Sequence, residues 1–150
     1  GTFLVTAADD DSAVLADVND GQVHTLATNP GVDAGDAVEG TVAPEPPLNV
    51  AWQLAEVAEQ WSISVEESTE APTTLERDIA AEQAVGELTK RERAGTGEIH
   101  VLTVTASETD AAVADVLDDE DGLRSRAARL GVERVVVRSE PGVVSVRYLP

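Results

Sequence analysis

The chain has 150 residues, of which 29 are Asp or Glu and 10 are Lys or Arg, and its formal net charge is −19. The absence of cysteine excludes a disulfide framework, a thiol nucleophile and any site in which cysteine binds zinc or iron. Leu, Ile, Val and Phe make up about a quarter of the chain, above the roughly 20% below which charged chains stay disordered, so we expect a folded protein.

The first half of the chain predicts short β-strands. They cover residues 2–8, 12–18, 22–28 and 36–43. Asn19-Asp20-Gly21 is a strong turn signal. With a two-residue loop, Val18 would pair with Val23, which gathers small apolar side chains on one face and sets His24 across from Asp17 on the other.

Two tryptophans predict a further hairpin. Alternation with polar or small residues occurs at Val50, Trp52 and Leu54, and again at Trp61, Ile63 and Val65. A connection around Ala58 would set Trp52 opposite Val65, so that both indoles lie on one buried face. Five or six short strands with irregular connections predict a small antiparallel β-barrel or a sandwich over residues 1–68.

A polar segment with Pro72, residues 69–74, predicts a linker to a second domain over residues 75–150. This second domain begins with helix-forming residues from 74 to 94, although Gly86 weakens the middle of that helix. Residues 98–105 predict a strand that is apolar on both faces, as in a central position of a sheet.

The remaining elements are a helix and a hairpin. Ser107 and Asp110 resemble a capping box before a helix that Gly122 interrupts and Gly131 ends. Residues 132–138 and 143–148 predict a β-hairpin around Pro141-Gly142. The predicted fold class is therefore α+β: the N-terminal barrel or sandwich is followed by an α+β layer of helix, strand, helix and hairpin, with helices on a single face of the sheet.

The C-terminal hairpin contains the first candidate binding residues. If its loop has an even number of residues, Arg134, Arg138 and Arg147 project from the face opposite to the valines. Three guanidinium groups on one face indicate a surface that binds an anion, a nucleic acid or a protein partner. The alternative is a solvated face whose charges are balanced by Glu133, Glu140 and nearby carboxylates.

Two other basic clusters occur in the second half. Lys90, Arg91 and Arg93 are further candidate partner-binding or anion-binding residues. Arg124, Arg126 and Arg129 form another cluster on the predicted second helix. Pairing with nearby acids, such as Glu87 with Arg91 four residues later on a helix, is the alternative for both clusters.

No catalytic, metal-binding or cofactor-binding residue is predicted. His24 and His100 are the only histidines, and neither belongs to a spaced set of metal ligands. The acidic run 118–121 lacks the spacing of a calcium loop, because Leu117 occupies the position of the first ligand. We therefore expect no cofactor.

The charge predicts a salt-rich environment. Self-repulsion destabilises a compact chain of this charge, but multimolar salt reduces the screening length to about 3 Å or less. Lys90 is the single lysine in the sequence. We interpret the acid excess as halophilic adaptation, so salt is expected to be needed for stability, and an ordinary acidic protein is the alternative.

Two resemblances add to this reading. The Pro30-Gly31 turn and residues 35–42 resemble the loop and strand of OB-like and TRAM-like β-barrels, many of which bind RNA. Residues 1–76 contain no Lys or Arg, which departs from an RNA-binding surface. The whole sequence, including residues 91–95 and 139–150, resembles an uncharacterised haloarchaeal protein family, a domain of unknown function. That resemblance implies a halophilic archaeal source and no known activity.

The predicted function is a non-enzymatic binding or interaction module, with a protein as the expected partner. RNA binding through the C-terminal arginines is one alternative. An enzyme that uses carboxylates and His24 or His100 on an anionic substrate is another. No segment approaches the roughly 20 apolar residues of a membrane span, so we expect no membrane partner and a cytoplasmic location.

Overall fold

The N-terminal strands close into a barrel in the computed structural model, which describes residues 1–46 and 51–150. The strands are β1 (Thr2–Ala8), β2 (Ala13–Asp17), β3 (Val23–Leu26), β4 (Asp36–Pro44) and β5 (Trp52–Ser62), in the order β1-β2-β3-β5-β4. Of the two predicted arrangements, the structure has the barrel. Val50, predicted within a strand, lies outside the described residues.

The pairing of β2 with β3 differs from the prediction by two residues. Ala16 lies opposite Val23, and Leu15 lies opposite His24. The turn is longer than two residues because the backbone N–H of Asp17 donates to the carbonyl of Gln22 over 2.8 Å. The buried face carries Leu15 and His24, while Val23 on the other face is 60% exposed. The predicted pairs of Val18 with Val23 and of His24 with Asp17 were therefore wrong.

Strand β5 is continuous where the sequence predicted a hairpin. It pairs with β4 along its length, from Trp52 opposite Pro44 to Ser62 opposite Asp36. Trp52 packs in the barrel core, whereas Trp61 packs against a separate hydrophobic core that includes Val135 and Val137. The prediction that both indoles lie on one buried face was therefore wrong. The residues around Ala58 include no Gly, Pro or Asn that would favour a turn.

The second sheet begins directly after the barrel. Its strands are β6 (Ser64–Glu67), β7 (Leu88–Glu92), β8 (Glu98–Thr103), β9 (Arg134–Glu140) and β10 (Val143–Leu149), in the order β6-β9-β10-β8-β7. Strand β6 runs parallel to β9, so this sheet includes residues that precede the predicted linker. The division into two domains stays a prediction.

The helices are α1 (Thr74–Ala81), α2 (Thr109–Asp118) and α3 (Glu120–Leu130). The predicted helix from 74 to 94 was wrong beyond Ala81, because Gly86 adopts a φ of 90° and its N–H donates to the carbonyl of Thr103. The residues after Gly86 therefore pair with β8 and form strand β7. No side-chain hydrogen bond caps the start of α2, so the predicted capping box does not form.

Helices cover both faces of the second sheet. Val113 of α2 and Leu123 of α3 pack with Val135 and Val137, in a core that continues to Leu4 of the barrel. On the opposite face, α1 packs on β8 through Ile79, Ala80 and Val101. The prediction of helices on a single face was therefore wrong, because β8 is apolar on both sides. None of the helices in the described parts of the chain is long and apolar enough to cross a membrane.

Candidate functional site

The three arginines of the C-terminal hairpin share one face, as their spacing predicts. The Pro141-Gly142 loop joins Glu140 to Val143, which are paired across the hairpin. In the same register Arg138 lies opposite Ser145, Arg147 opposite Val136, and Arg134 opposite Leu149. This is the face that α1 covers in part, and the valines of the helix core lie on the other side.

The cluster at residues 90–93 is divided between the two faces. Arg91 lies opposite Ile99, which itself lies opposite Arg147, so Arg91 belongs to the α1 side. The backbone N–H of Arg93 donates to the carbonyl of Gly97, which continues the ladder and keeps Arg93 on that side. Lys90 lies opposite His100 and points to the other face. Five arginines of this sheet therefore lie on the α1 side, and we call them the arginine face: Arg91, Arg93, Arg134, Arg138 and Arg147.

The arginines of the hairpin each have a carboxylate partner. The pairs are Arg134–Glu66 at 3.0 Å, Arg138–Glu70 at 2.6 Å and Arg147–Glu76 at 3.4 Å. Lys90, Arg91 and Arg93 have no carboxylate within 4.0 Å among residues 1–46 and 51–150, although Arg93 donates to the carbonyl of Thr96 over 2.7 Å. The two predicted clusters therefore differ in their pairing.

The acid partners differ in burial. The side chain of Glu76 is fully buried, whereas those of Glu66 and Glu70 are 52% and 71% exposed. Exposed ion pairs contribute about 0–1 kcal/mol each. A carboxylate from another molecule could therefore replace Glu66 or Glu70 at little cost, in a cleft of about 490 Å³ that these residues line with the hairpin arginines.

The arginines also influence one another. Burial lowers the pKa of Arg147, and the charges of Arg138 and Arg93 lower it further, while the Glu76 carboxylate acts in the opposite direction. Three positive charges from two separate sequence clusters thus act at one place. An additional anion would be stabilised there by all three.

The cluster on α3 has a structural role. Arg124 pairs with Glu120 at 2.9 Å, and Arg126 makes two hydrogen bonds to Glu98, at 2.9 and 3.1 Å. Arg129 has no carboxylate partner among the described residues and donates to the carbonyl of Val18 over 3.5 Å. The predicted pair of Glu87 with Arg91 does not form, because these residues lie on and beside a strand instead of a helix.

Both histidines are buried. His24 packs edge-on against Phe3 and Trp52, with ring centroids 5.7 and 4.4 Å away. His100 Nε2 lies 3.5 Å from Glu98. Burial would raise the pKa of Glu98, but the hydrogen bond and charge of Arg126, with those of His100, bring it below its usual value. No group of three or more His, Asp or Glu side chains suited to a metal ion occurs in the part of the chain that the structure describes.

An apolar groove lies on the other side of β7. It has a volume of about 360 Å³ and runs between α2 and the β7–β8 edge of the sheet. We define the apolar groove by Leu88, His100, Leu102, Val116 and Tyr148. Burial raises the pKa of Tyr148 to about 12, so this ring stays neutral. No pattern in the sequence indicated the groove, because residues 88–92 are also compatible with a helix.

Comparison with known proteins assigns no activity to these surfaces. The sequence model of one protein family, described as Family of unknown function (DUF5812), matches residues 1–139. No curated protein and no solved structure matches the chain significantly. Its chemistry has to be inferred from the residues described above.

Proposed function

Because the chain belongs to DUF5812, a family of unknown function, its role has to be inferred from its surface, and we propose that it is a non-enzymatic binding module whose arginine face binds an acidic segment of a partner protein. The observation that carries this proposal is the unpaired state of Arg91 and Arg93. Carboxylates outnumber basic side chains 29 to 10 in this sequence, yet neither arginine has one as a partner within the described residues.

The charge balance of the arginine face supports an acidic partner. Three of the five arginines of this face pair with a carboxylate, and two of those three carboxylates are exposed. The excess of positive charge is local, since the whole chain carries −19. An acidic segment is attracted to such a patch, and the rest of the surface repels it. The proposed setting is a salt-rich cytoplasm. Salt screens the long-range electrostatic attraction there, but it weakens the short-range hydrogen bonds from guanidinium groups much less.

RNA has less support as the partner. The closed five-stranded barrel supports the resemblance to OB-like barrels, which bind oligonucleotides on the face of strands 2 and 3 and on adjoining loops. Here that part of the chain contains no Lys or Arg, and the loop before β2 carries Asp9, Asp10 and Asp11. Single-stranded RNA binding also relies on exposed aromatic rings. The aromatic side chains Phe3, Trp52, Trp61 and Tyr148 are buried or half-buried in the two cores.

An enzyme has less support for a different reason. Neither histidine lies on the arginine face, so the combination of a histidine with carboxylates that this alternative requires is not found beside the arginines that would hold an anionic substrate. Glu98 and Arg126 hydrogen-bond to each other next to His100, so these two charged groups already take part in a structural contact.

The test uses three labelled probes at one salt concentration: a ten-residue oligo-glutamate peptide, a ten-residue oligo-glutamine peptide and a ten-nucleotide oligo-uridine RNA. Fluorescence anisotropy should show binding of the glutamate peptide and none of the other two at the same concentrations. Tighter binding of the RNA than of the glutamate peptide, or no binding of either, would overturn the proposal.

A further inference from the structure

We propose that the partner adds to the free edge of β7 as an extended strand, with acidic side chains on one face and apolar side chains on the other. This inference rests on the proposed function and specifies the class of segment that is recognised. It draws on the backbone of β7, on the two faces of that strand, and on the apolar groove beside it.

The outer edge of β7 has unused backbone hydrogen-bonding groups. Strand β7 is the last strand of its sheet. The carbonyl of Glu87 accepts from the N–H of Thr103, and the N–H of Arg93 donates to Gly97, so the odd-numbered residues bond to β8. By the alternation of an antiparallel ladder, Leu88, Lys90 and Glu92 direct their backbone groups outward. No described residue bonds to these outward groups, and a strand about 4.8 Å away would satisfy them.

The two faces of β7 favour different side chains in an added strand. On the α1 side the neighbours of that strand are Arg91 and Arg93, so acidic residues would pair with them. On the other side the neighbours are Leu88, Lys90 and Glu92, of which Leu88 is 49% exposed at the mouth of the apolar groove. Apolar residues placed beside Leu88 would cover it and enter the groove. Since side chains alternate between faces along a strand, the recognised segment alternates acidic and apolar residues.

A second copy of this chain is a poor occupant of the same edge. Each copy carries −19, and pairing of two β7 strands would bring the basic side chains of one copy beside those of the other. Charged residues on an edge strand, lysine above all, disfavour unspecific pairing. Arg91 and Arg93 thus discriminate against most strands, while a segment with carboxylates on the α1 side compensates their charges.

The experiment compares four synthetic ten-residue peptides by anisotropy. One alternates Glu and Val, one has the same composition with five Glu followed by five Val, and two are the alternating peptide with N-methyl groups on every Val or on every Glu. Neighbouring N–H groups of a strand point to opposite edges, so either the Val amides or the Glu amides of the peptide face β7. Only methylation of the amides that face β7 should prevent the backbone hydrogen bonds. We expect the alternating peptide to bind about tenfold more tightly than the block peptide, a difference of about 1.4 kcal/mol. We also expect one of the two methylated peptides to lose binding.

Amide hydrogen exchange of the full chain gives the second readout. The amides of Leu88, Lys90 and Glu92 should exchange quickly in the free protein and more slowly with the alternating peptide bound. If an acidic peptide binds but both methylated peptides behave alike, or these amides are unaffected, strand addition is wrong while the proposed function stands. If no acidic peptide binds, the proposed function itself fails. Protection of these amides without peptide, rising with protein concentration, would instead show self-association and contradict the inference.

Discussion

The Nε atom of Arg147 lies 3.4 Å from Oε1 of Glu76, and the side chain of Glu76 is completely buried. Glu76 belongs to the first turn of α1, where its backbone N–H donates to the Thr73 hydroxyl over 3.3 Å. Arg147 belongs to β10, so this pair joins α1 to the centre of the second sheet. The arginine on the central strand of this sheet is therefore paired with a carboxylate that solvent does not reach.

Removing the charge of Glu76 should destabilise the protein. Glu76→Gln leaves Arg147 partly buried without a counter-charge, and we expect the free energy of unfolding to fall by about 2–4 kcal/mol. The matched control is Glu66→Gln, which breaks the exposed pair with Arg134 and should cost less than about 1 kcal/mol. Chemical denaturation at constant high salt measures both. Equal costs for the two variants would show that burial of Glu76 has no energetic consequence.

Stability should fall as the pH drops below neutrality, in part because of His100. Burial and the charge of Arg126 lower the pKa of His100 below its ordinary value of 6.5, although Glu98 acts in the opposite direction. The unfolded chain binds a proton at a pH where the folded chain does not, so folding becomes less favourable below about pH 6.5. Thermal unfolding between pH 7.5 and 5 should show a smaller loss for His100→Gln than for the wild type. The same pH dependence in both proteins would contradict this origin.

Gly40 should not tolerate a side chain. It lies at the irregularity where β4 passes β5, and a Cβ atom there would run into the backbone carbonyl oxygen of Glu56. We expect Gly40→Ala to cost about 3 kcal/mol through overpacking. Gly21→Ala, in a turn with open space and a φ of 76°, should cost only about 1 kcal/mol. Chemical denaturation of the two variants measures both losses in the free energy of unfolding. A larger loss for Gly21→Ala than for Gly40→Ala would contradict the close packing of β4 on β5 at Gly40.

Salt should stabilise the fold. The screening length falls from about 10 Å at 0.1 M to about 3 Å at 1 M, which removes most of the repulsion among surface carboxylates. The thermal midpoint should therefore rise between 0.1 M and 3 M KCl, and Asp10→Asn/Asp11→Asn, which removes two exposed charges, should make the rise smaller. An unchanged midpoint would mean that the acid excess is unrelated to salt.

The hairpin was predictable because its geometry is local. Pro141-Gly142 is a turn signal that sets an even loop, and period-two alternation then places Arg134, Arg138 and Arg147 on one face. A small β-domain, as either a barrel or a sandwich, was likewise predictable from short alternating strands, and the structure has the barrel. Pairs between distant segments, such as Arg138 with Glu70, were not predictable from the sequence, because any of 29 acids could have been the partner.

The errors occurred where local preference and tertiary structure disagree. Residues 88–92 are acceptable in a helix, but β8 has apolar side chains on both faces and a free edge, so the chain pairs with it as β7. The groove beside Leu88 and the position of Arg91 on the same face as Arg147 both follow from that strand. Sequence reasoning found Lys90, Arg91 and Arg93 as a cluster and missed that the strand sends Lys90 to the opposite face.

The most direct test of the binding proposal is the affinity of the alternating Glu-Val peptide for two double variants, measured by anisotropy at one salt concentration. Arg91→Ala/Arg93→Ala removes the two guanidinium groups of the arginine face that have no carboxylate partner within the described residues, and Arg124→Ala/Arg129→Ala removes the same charge from α3, on the opposite side of the sheet. We predict at least tenfold weaker binding for the first variant, about 1.4 kcal/mol, and a change of less than about twofold for the second. Equal weakening in the two variants would mean that only net charge matters and would contradict a binding site at β7.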